Sequence, residues 1–137
     1  MTLQTSLTSP YLFSYFKGEE WRTQELVAKL LDKHFTTLPD GIPGNDDTGT
    51  MSAWAVFSMM GFYPDCPGHP SYTLTVPTFD SVEIKLDPTL CNGKDKLVIT
   101  KGDGSRIKSM KLAGKGYGKY RISHSDLTDR KSTRLNS

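Results

Sequence analysis

Residues 51–60 are apolar on nearly every side: Met51, Ala53, Trp54, Ala55, Val56, Phe57, Met59 and Met60 leave only Ser52 and Ser58 as polar positions. A helix that is hydrophobic all round belongs in an interior, because none of its faces suits water. Gly61 supplies a C-terminal cap and Pro64 a stop, with Thr48 or Thr50 as the N-cap. Such a helix needs other helices around it, and the chain offers one further good helical candidate. The pattern therefore predicts a fold completed by residues beyond these.

That second helix is read over residues 19–35. Trp21, Leu26, Val27, Leu30, Leu31 and His34 fall near one stripe of the helical period. Glu19 and Glu20 open it while Lys33 and His34 close it, as the helix dipole favours, so His34 is a helix-end residue and not a ligand. Pro39-Asp40-Gly41 ends it. Ahead of it, residues 1–10 read as loop or as a broken edge. The aromatic run Tyr11-Leu12-Phe13-Ser14-Tyr15-Phe16 reads as a strand or a buried helical turn, its rings packing a core in preference to stacking on sugar.

Between the helices lies Gly41-Ile42-Pro43-Gly44-Asn45-Asp46-Asp47-Thr48-Gly49-Thr50, a turn-rich loop with an amide and two adjacent carboxylates. Asn, Asp and Thr all favour turns and caps, so one reading is purely structural. The other is metal binding or acid–base chemistry at the mouth of a buried helix.

The character changes at the rigid connector Pro64-Asp65-Cys66-Pro67-Gly68-His69-Pro70. Strand-type runs follow at 72–76, 82–86 and 96–100, with 107–112 and 120–122 as further candidates. Val82-Glu83-Ile84-Lys85-Leu86 alternates apolar with charged, which predicts one solvated face. Asn92-Gly93 and Asp103-Gly104 signal turns. Gly114, Gly116 and Gly118 are spaced like a phosphate loop but lack its strand-to-helix context, so they read as a flexible turn. His124-Ser125-Asp126 has the residue types of a triad without a nucleophile elbow, and His69 and His124 read as solvated loop residues.

A mean hydropathy of −0.45 suggests a soluble protein. No apolar run approaches the roughly 20 residues that span a bilayer, and residues 1–10 lack the basic start and apolar core of a secretory leader. The formal charge of +2 resides in the last nine residues, where Arg130, Lys131 and Arg134 outweigh Asp129. The remainder is neutral, which argues against nucleic acid as a partner. Asp129-Arg130-Lys131-Ser132-Thr133-Arg134-Leu135-Asn136-Ser137 is what a common short-read sequencing adapter encodes when translated in frame. Residues 129–137 are therefore expected to be a non-native tail, and genomic DNA continuing through these codons in an independent library would refute that. Cys66 and Cys91 both sit among turn residues, where a disulfide is open; they do not make a zinc site.

The wording from Pro43-Gly44-Asn45-Asp46-Asp47-Thr48-Gly49 through Met51-Ser52-Ala53-Trp54, with Val56-Phe57-Ser58-Met59-Met60-Gly61-Phe62-Tyr63-Pro64, closely resembles the end of the catalytic domain of glycoside hydrolase family 92. These are calcium-dependent exo-α-mannosidases. The likeness runs more loosely from Tyr11 to Leu127 and covers only the C-terminal part of such an enzyme. It implies an α+β fragment: C-terminal helices of an (α/α)6 barrel over residues 1–64, then a small antiparallel β region over 65–128. It also implies a secreted or periplasmic parent, a mannose-containing glycan substrate such as an N-glycan, and a missing N-terminal part of the same enzyme.

Inverting hydrolysis needs an acid for the leaving oxygen and a carboxylate base for the attacking water, roughly 6.5–9.5 Å apart. Asp46 and Asp47 are neighbours on an irregular loop and do not suit both roles in one site; one of them suits the base, with the other or Asn45 holding water or a cation. The resemblance gives the base to Asp47. Many members have Asp-Glu-Asp where this chain has Asn45-Asp46-Asp47, so a second water-orienting carboxylate is an amide here; Asn45 can orient water but cannot take its proton. The general acid, a Glu, belongs upstream, since Glu19, Glu20, Glu25 and Glu83 have no matching context. Ca²⁺ prefers several oxygen ligands. Asp47 is the expected local one, the others lying on the missing chain, and the fragment alone is expected to be inactive. The alternative is a non-catalytic carbohydrate-binding or structural domain.

Overall fold

The computed structural model describes residues 7–128 and, as backbone, 134–136. A 3-10 helix, Ser9–Tyr15, leads into α1, Glu20–His34, and α2, Thr50–Met60. Strands β1 (Phe62–Tyr63), β2 (Ser71–Leu74), β3 (Ser81–Lys85), β4 (Lys96–Thr100), β5 (Met110–Leu112), β6 (Lys115–Tyr117) and β7 (Arg121–Ser123) follow. A short α3 (His124–Thr128) and β8 (Arg134–Asn136) complete the described chain. Residues 129–133 and 137 of the expected foreign tail lie outside the described residues.

The strands form two sheets, one ordered β1-β2-β7 and the other β3-β4-β8-β5-β6. Every pairing among β1 to β7 is antiparallel, as expected; the one parallel pairing joins β4 to β8, which lies in the segment read as a non-native tail. The α+β class holds. The Gly-rich segment read as a flexible turn is instead a regular hairpin. Leu112 pairs with Lys115 across Ala113-Gly114, whose φ values of 52° and 80° are those of a two-residue type I′ turn.

Two apolar clusters hold these elements. Phe62, Leu74, Leu97, Ile99, Ile107, Met110, Ile122 and Leu127 form the one among the strands. Tyr11, Val27, Trp54 and Ala55 form the other, where the 3-10 helix, α1 and α2 meet. The aromatic run at Tyr11 is thus a helical turn, with Tyr11 at 0% exposure. Its hydroxyl meets Ser58 Oγ at 2.7 Å, and its ring stacks on Tyr63 and abuts Trp54 edge-on. The outer face of the 3-10 helix is different: Leu12, Tyr15 and Phe16 are exposed.

On α1 the buried positions are Thr23, Gln24 and Val27, and Trp21 lies at the rim beneath the Arg106 guanidinium, 4.4 Å from its ring centroid. The expected stripe is rotated because Gln24 faces the β region, where its Oε1 accepts the Ile107 N–H at 2.9 Å. Helix α2 buries Met51, Trp54, Ala55 and Ser58 but leaves Ala53 and Val56 exposed, so the expected burial on every side is only partly met by this chain. Gly61 caps α2 as expected, at φ 92°, its N–H shared between the Phe57 and Ser58 carbonyls. A Cβ there would come within 2.7 Å of Pro77 Cγ, so both the backbone and the neighbour require glycine.

Candidate active-site loop

The loop starts where α1 ends. Thr36 N–H donates to the Gly41 carbonyl at 3.0 Å, and Gly41 N–H to Leu38 O at 2.9 Å. A Cβ on buried Gly41 would overlap the Thr36 carbonyl, which explains the glycine. The loop then rises to the α2 N-terminus through three consecutive residues of positive φ, Asp47 at 45°, Thr48 at 57° and Gly49 at 88°. Asp tolerates this region moderately, but for β-branched Thr it is a true outlier. Strain of this kind costs about 1–3 kcal/mol per residue and gathers at functional sites.

Asp46 is what holds that conformation. Its Oδ1 accepts the Ser52 N–H and its Oδ2 the Ser52 hydroxyl, both at 2.8 Å, while its carbonyl accepts the Met51 N–H at 3.2 Å. The Ser52 amide, then the Ser52 hydroxyl, hold its carboxyl below the usual carboxylate range. Neither Thr48 nor Thr50 is the N-cap. Gly49 takes that backbone position, and Asp46, from further upstream, satisfies the orphan amide through its side chain. Thr50 instead donates its hydroxyl to the Asp47 carbonyl at 2.7 Å.

Asn45 and Asp47 flank Asp46 on the exposed side of the loop. One turn into α2, Trp54 is pinned by its Nε1–H to the Leu7 carbonyl at 2.9 Å and stacks on Phe35 at 5.6 Å between centroids. The acidic loop thus sits on an anchored helix end, as a precise site requires.

The chain's four Glu residues are engaged elsewhere. Glu19 pairs with Arg22, Glu25 with Lys29 and Arg106, and Glu83 with Lys96, while Glu20 accepts the Gly18 N–H. Among the described residues no group of three or more His, Cys, Asp or Glu side chains could hold a metal ion. Calcium takes about six to eight oxygens. With both Asp46 oxygens on Ser52, Asn45 and Asp47 fall well short, so this chain's donors do not by themselves make a calcium site. Cys66 and Cys91 are free thiols, not a bridge. His69 and His124 are exposed and bound to Ser71 and Tyr72; His69 lies in a loop, whereas His124 opens α3 and is not the loop residue expected.

The reasoning from sequence missed Ser52, the partner of Asp46, and Arg121, which pairs with buried Asp65. A Ser two residues inside an otherwise apolar helix, just after an Asp-rich loop, was the available signal for the first.

An acidic loop strained against the end of a buried helix, on an α+β scaffold, is the candidate site of this chain. Residues 1–136 match the model of the glycosyl hydrolase family 92 catalytic domain, and the chain belongs to that family. It is 31% identical over 126 residues, 88% of its length, to a protein of Arthroderma benhamiae described as an uncharacterized secreted glycosidase, of which it covers 16%. Among solved structures it resembles the family 92 α-mannosidase BT3965 of Bacteroides thetaiotaomicron, with a TM-score of 0.80 and 29% identity over 95% of this chain and 17% of that one. It also resembles the inverting mannosidase BT2199 of the same organism, with a TM-score of 0.80 and 31% identity over 97% of this chain and 18% of that one. The chain therefore spans less than a fifth of the length of these relatives.

Proposed function

We propose that this chain is the C-terminal part of the catalytic domain of an inverting exo-α-mannosidase. The whole enzyme removes terminal α-mannosides from mannose-rich glycans, N-glycans among them, and Asp47 is its general base. The observation that carries the assignment is the division of labour between neighbours. Asp46 has both oxygens occupied by Ser52 and a lowered proton affinity, which makes it a poor base. Asp47 lies beside it, exposed, on strained backbone. Asp46 thus fixes the loop, Asp47 takes the proton of the attacking water, and Asn45 orients that water without taking its proton.

The general acid is a Glu outside this chain, which is consistent with the other engagements of Glu19, Glu20, Glu25 and Glu83. Residues 1–64 belong to the (α/α)6 barrel and 65–128 to the β region that closes it. The exposed Val56 on an otherwise apolar helix supports missing neighbours there. Asp47 supplies one Ca²⁺ ligand, the others coming from the rest of the enzyme. Alone, the chain is inactive. A secreted parent is supported by the description of the Arthroderma relative, and a mannose site by the complex of BT3965 with mannoimidazole.

The test is Asp47→Asn in the full-length enzyme, with the anomer first released from an α-mannoside followed by proton NMR. Release of β-mannose by the wild type and a collapse of kcat in the variant are expected. Unchanged hydrolysis by the variant, or α-mannose as the first product, would overturn the reading.

A further inference from the structure

The β5–β6 hairpin carries a feature the catalytic reading does not use. From Gly104 to Ser125 the sequence holds six cationic residues and no Asp or Glu. Arg106 is paired with Glu25 and Arg121 with Asp65. Among the described residues, Lys108, Lys111, Lys115 and Lys119 have no carboxylate partner, and all are exposed. Four uncompensated charges on and beside one small hairpin raise the local concentration of anions.

Beside them, where the hairpin's arms diverge, opens a cleft of about 450 Å³, within the range of small-molecule sites. Lys108, Ser109, Tyr117 and Tyr120 line it, and Gly116 and Gly118 leave its floor bare. Neither glycine has a positive φ, and a Cβ on either would meet nothing within 4 Å. The fold does not demand glycine at these positions; the missing side chains give the cleft its depth. Tyr117 is fixed by its hydroxyl, which donates to the Arg121 carbonyl at 2.7 Å. The Lys108 ammonium and the Ser109 and Tyr120 hydroxyls have no protein partner among the described residues.

We propose that this cleft is a secondary binding site for a glycan unit bearing a negative charge. A pyranose ring lies on Tyr120, its hydroxyls meet Ser109 and the bare backbone, and its anionic group is held by Lys108 with Lys119 nearby. The choice of a sugar as ligand rests on the family reading above. The cleft has the volume of one or two sugar rings, which favours a glycan unit over a nucleic acid.

The test uses the full-length enzyme and its Lys108→Ala and Gly118→Val variants, titrated calorimetrically with mannose 6-phosphate, glucuronate and methyl α-mannoside. A charge-assisted contact predicts that at least one of the acidic sugars binds the wild type about tenfold more tightly than either variant. Raising salt to about 0.5 M should weaken that binding. Mannose 6-phosphate alone responding assigns a phosphorylated glycan, and glucuronate alone a uronate-containing one. Hydrolysis of a neutral aryl α-mannoside should be equal in all three proteins; its absence in the wild type would instead refute the catalytic reading. Acidic sugars binding equally to wild type and both variants would overturn the proposal. So would tighter binding of a short single-stranded oligonucleotide than of either acid.

Discussion

Arg121 grips Asp65 in bidentate fashion, Nη1 on Oδ1 and Nη2 on Oδ2, each at 3.0 Å. The Asp65 side chain is 2% exposed, and Thr73 Oγ1 donates to the same carboxylate at 2.9 Å. The guanidinium also lies over the Tyr15 ring, 4.5 Å from its centroid. One ion pair thus ties the 3-10 helix, the connector after β1, and β7. Removing Arg121 strands a buried carboxylate. Arg121→Met should lower unfolding free energy by about 3 kcal/mol, the low end for a broken buried pair because the arginine is partly exposed. Urea denaturation measures it.

The same pair sets a pH dependence. Burial alone would raise the Asp65 pKa, but the hydrogen bonds from Arg121, Tyr15 and Thr73 outweigh it and hold the carboxyl below its usual value. A group with a lowered folded-state pKa stabilises above its unfolded value, about 3.9 for Asp, and loses that contribution as pH falls through the folded value. Stability should therefore drop below about pH 4, and the drop should be smaller in Arg121→Met. Melting curves at stepped pH show whether it is.

Asp47→Asn in the full-length enzyme should lower kcat by about 10²- to 10⁴-fold, the usual worth of general acid–base catalysis. KM should change little. Steady-state kinetics beside a thermal melt separate this from misfolding.

Ser52→Ala removes the hydroxyl bond to Asp46 and keeps the amide bond, whereas Asp46→Ala removes both, so Asp46→Ala should be the more damaging of the two. Both should lower the melting temperature by a few degrees and reduce kcat by loosening the strained turn that carries Asp47. The double variant should be no worse than Asp46→Ala alone. Additive losses would mean that Asp46 acts on something other than Ser52.

Trp54 is 1% exposed, stacked on Phe35 and bonded to the Leu7 carbonyl. Trp54→Ala should cost about 3–5 kcal/mol, the range for a large core aromatic. Tyr11→Phe leaves the buried Ser58 hydroxyl without its partner and should cost about 1–2 kcal/mol. Denaturant titration of both variants ranks the two effects.

Much of this was legible in the chain. The all-apolar run at 51–60, the cap at Gly61, the amphipathic run at 19–35 and the alternation at 82–86 are local patterns, and each formed the element it predicted because backbone geometry and side-chain period act over a few residues. The loop wording Asn45-Asp46-Asp47 carried the family. What stayed hidden depends on residues far apart in sequence. Gln24 turns inward only because Ile107 presents an amide to it. The hairpin at Gly114 needed a partner strand before its glycines became a turn and a cleft floor. The two adjacent carboxylates are equivalent on paper, and only the path of the chain into α2 gives Ser52 to Asp46 and leaves Asp47 at the surface. Sequence by itself determined which segments fold and which family they belong to, through short-range periodicity and composition. Tertiary structure alone decided which groups are paired, buried or presented, because those properties come from neighbours the chain supplies only after it has folded back on itself.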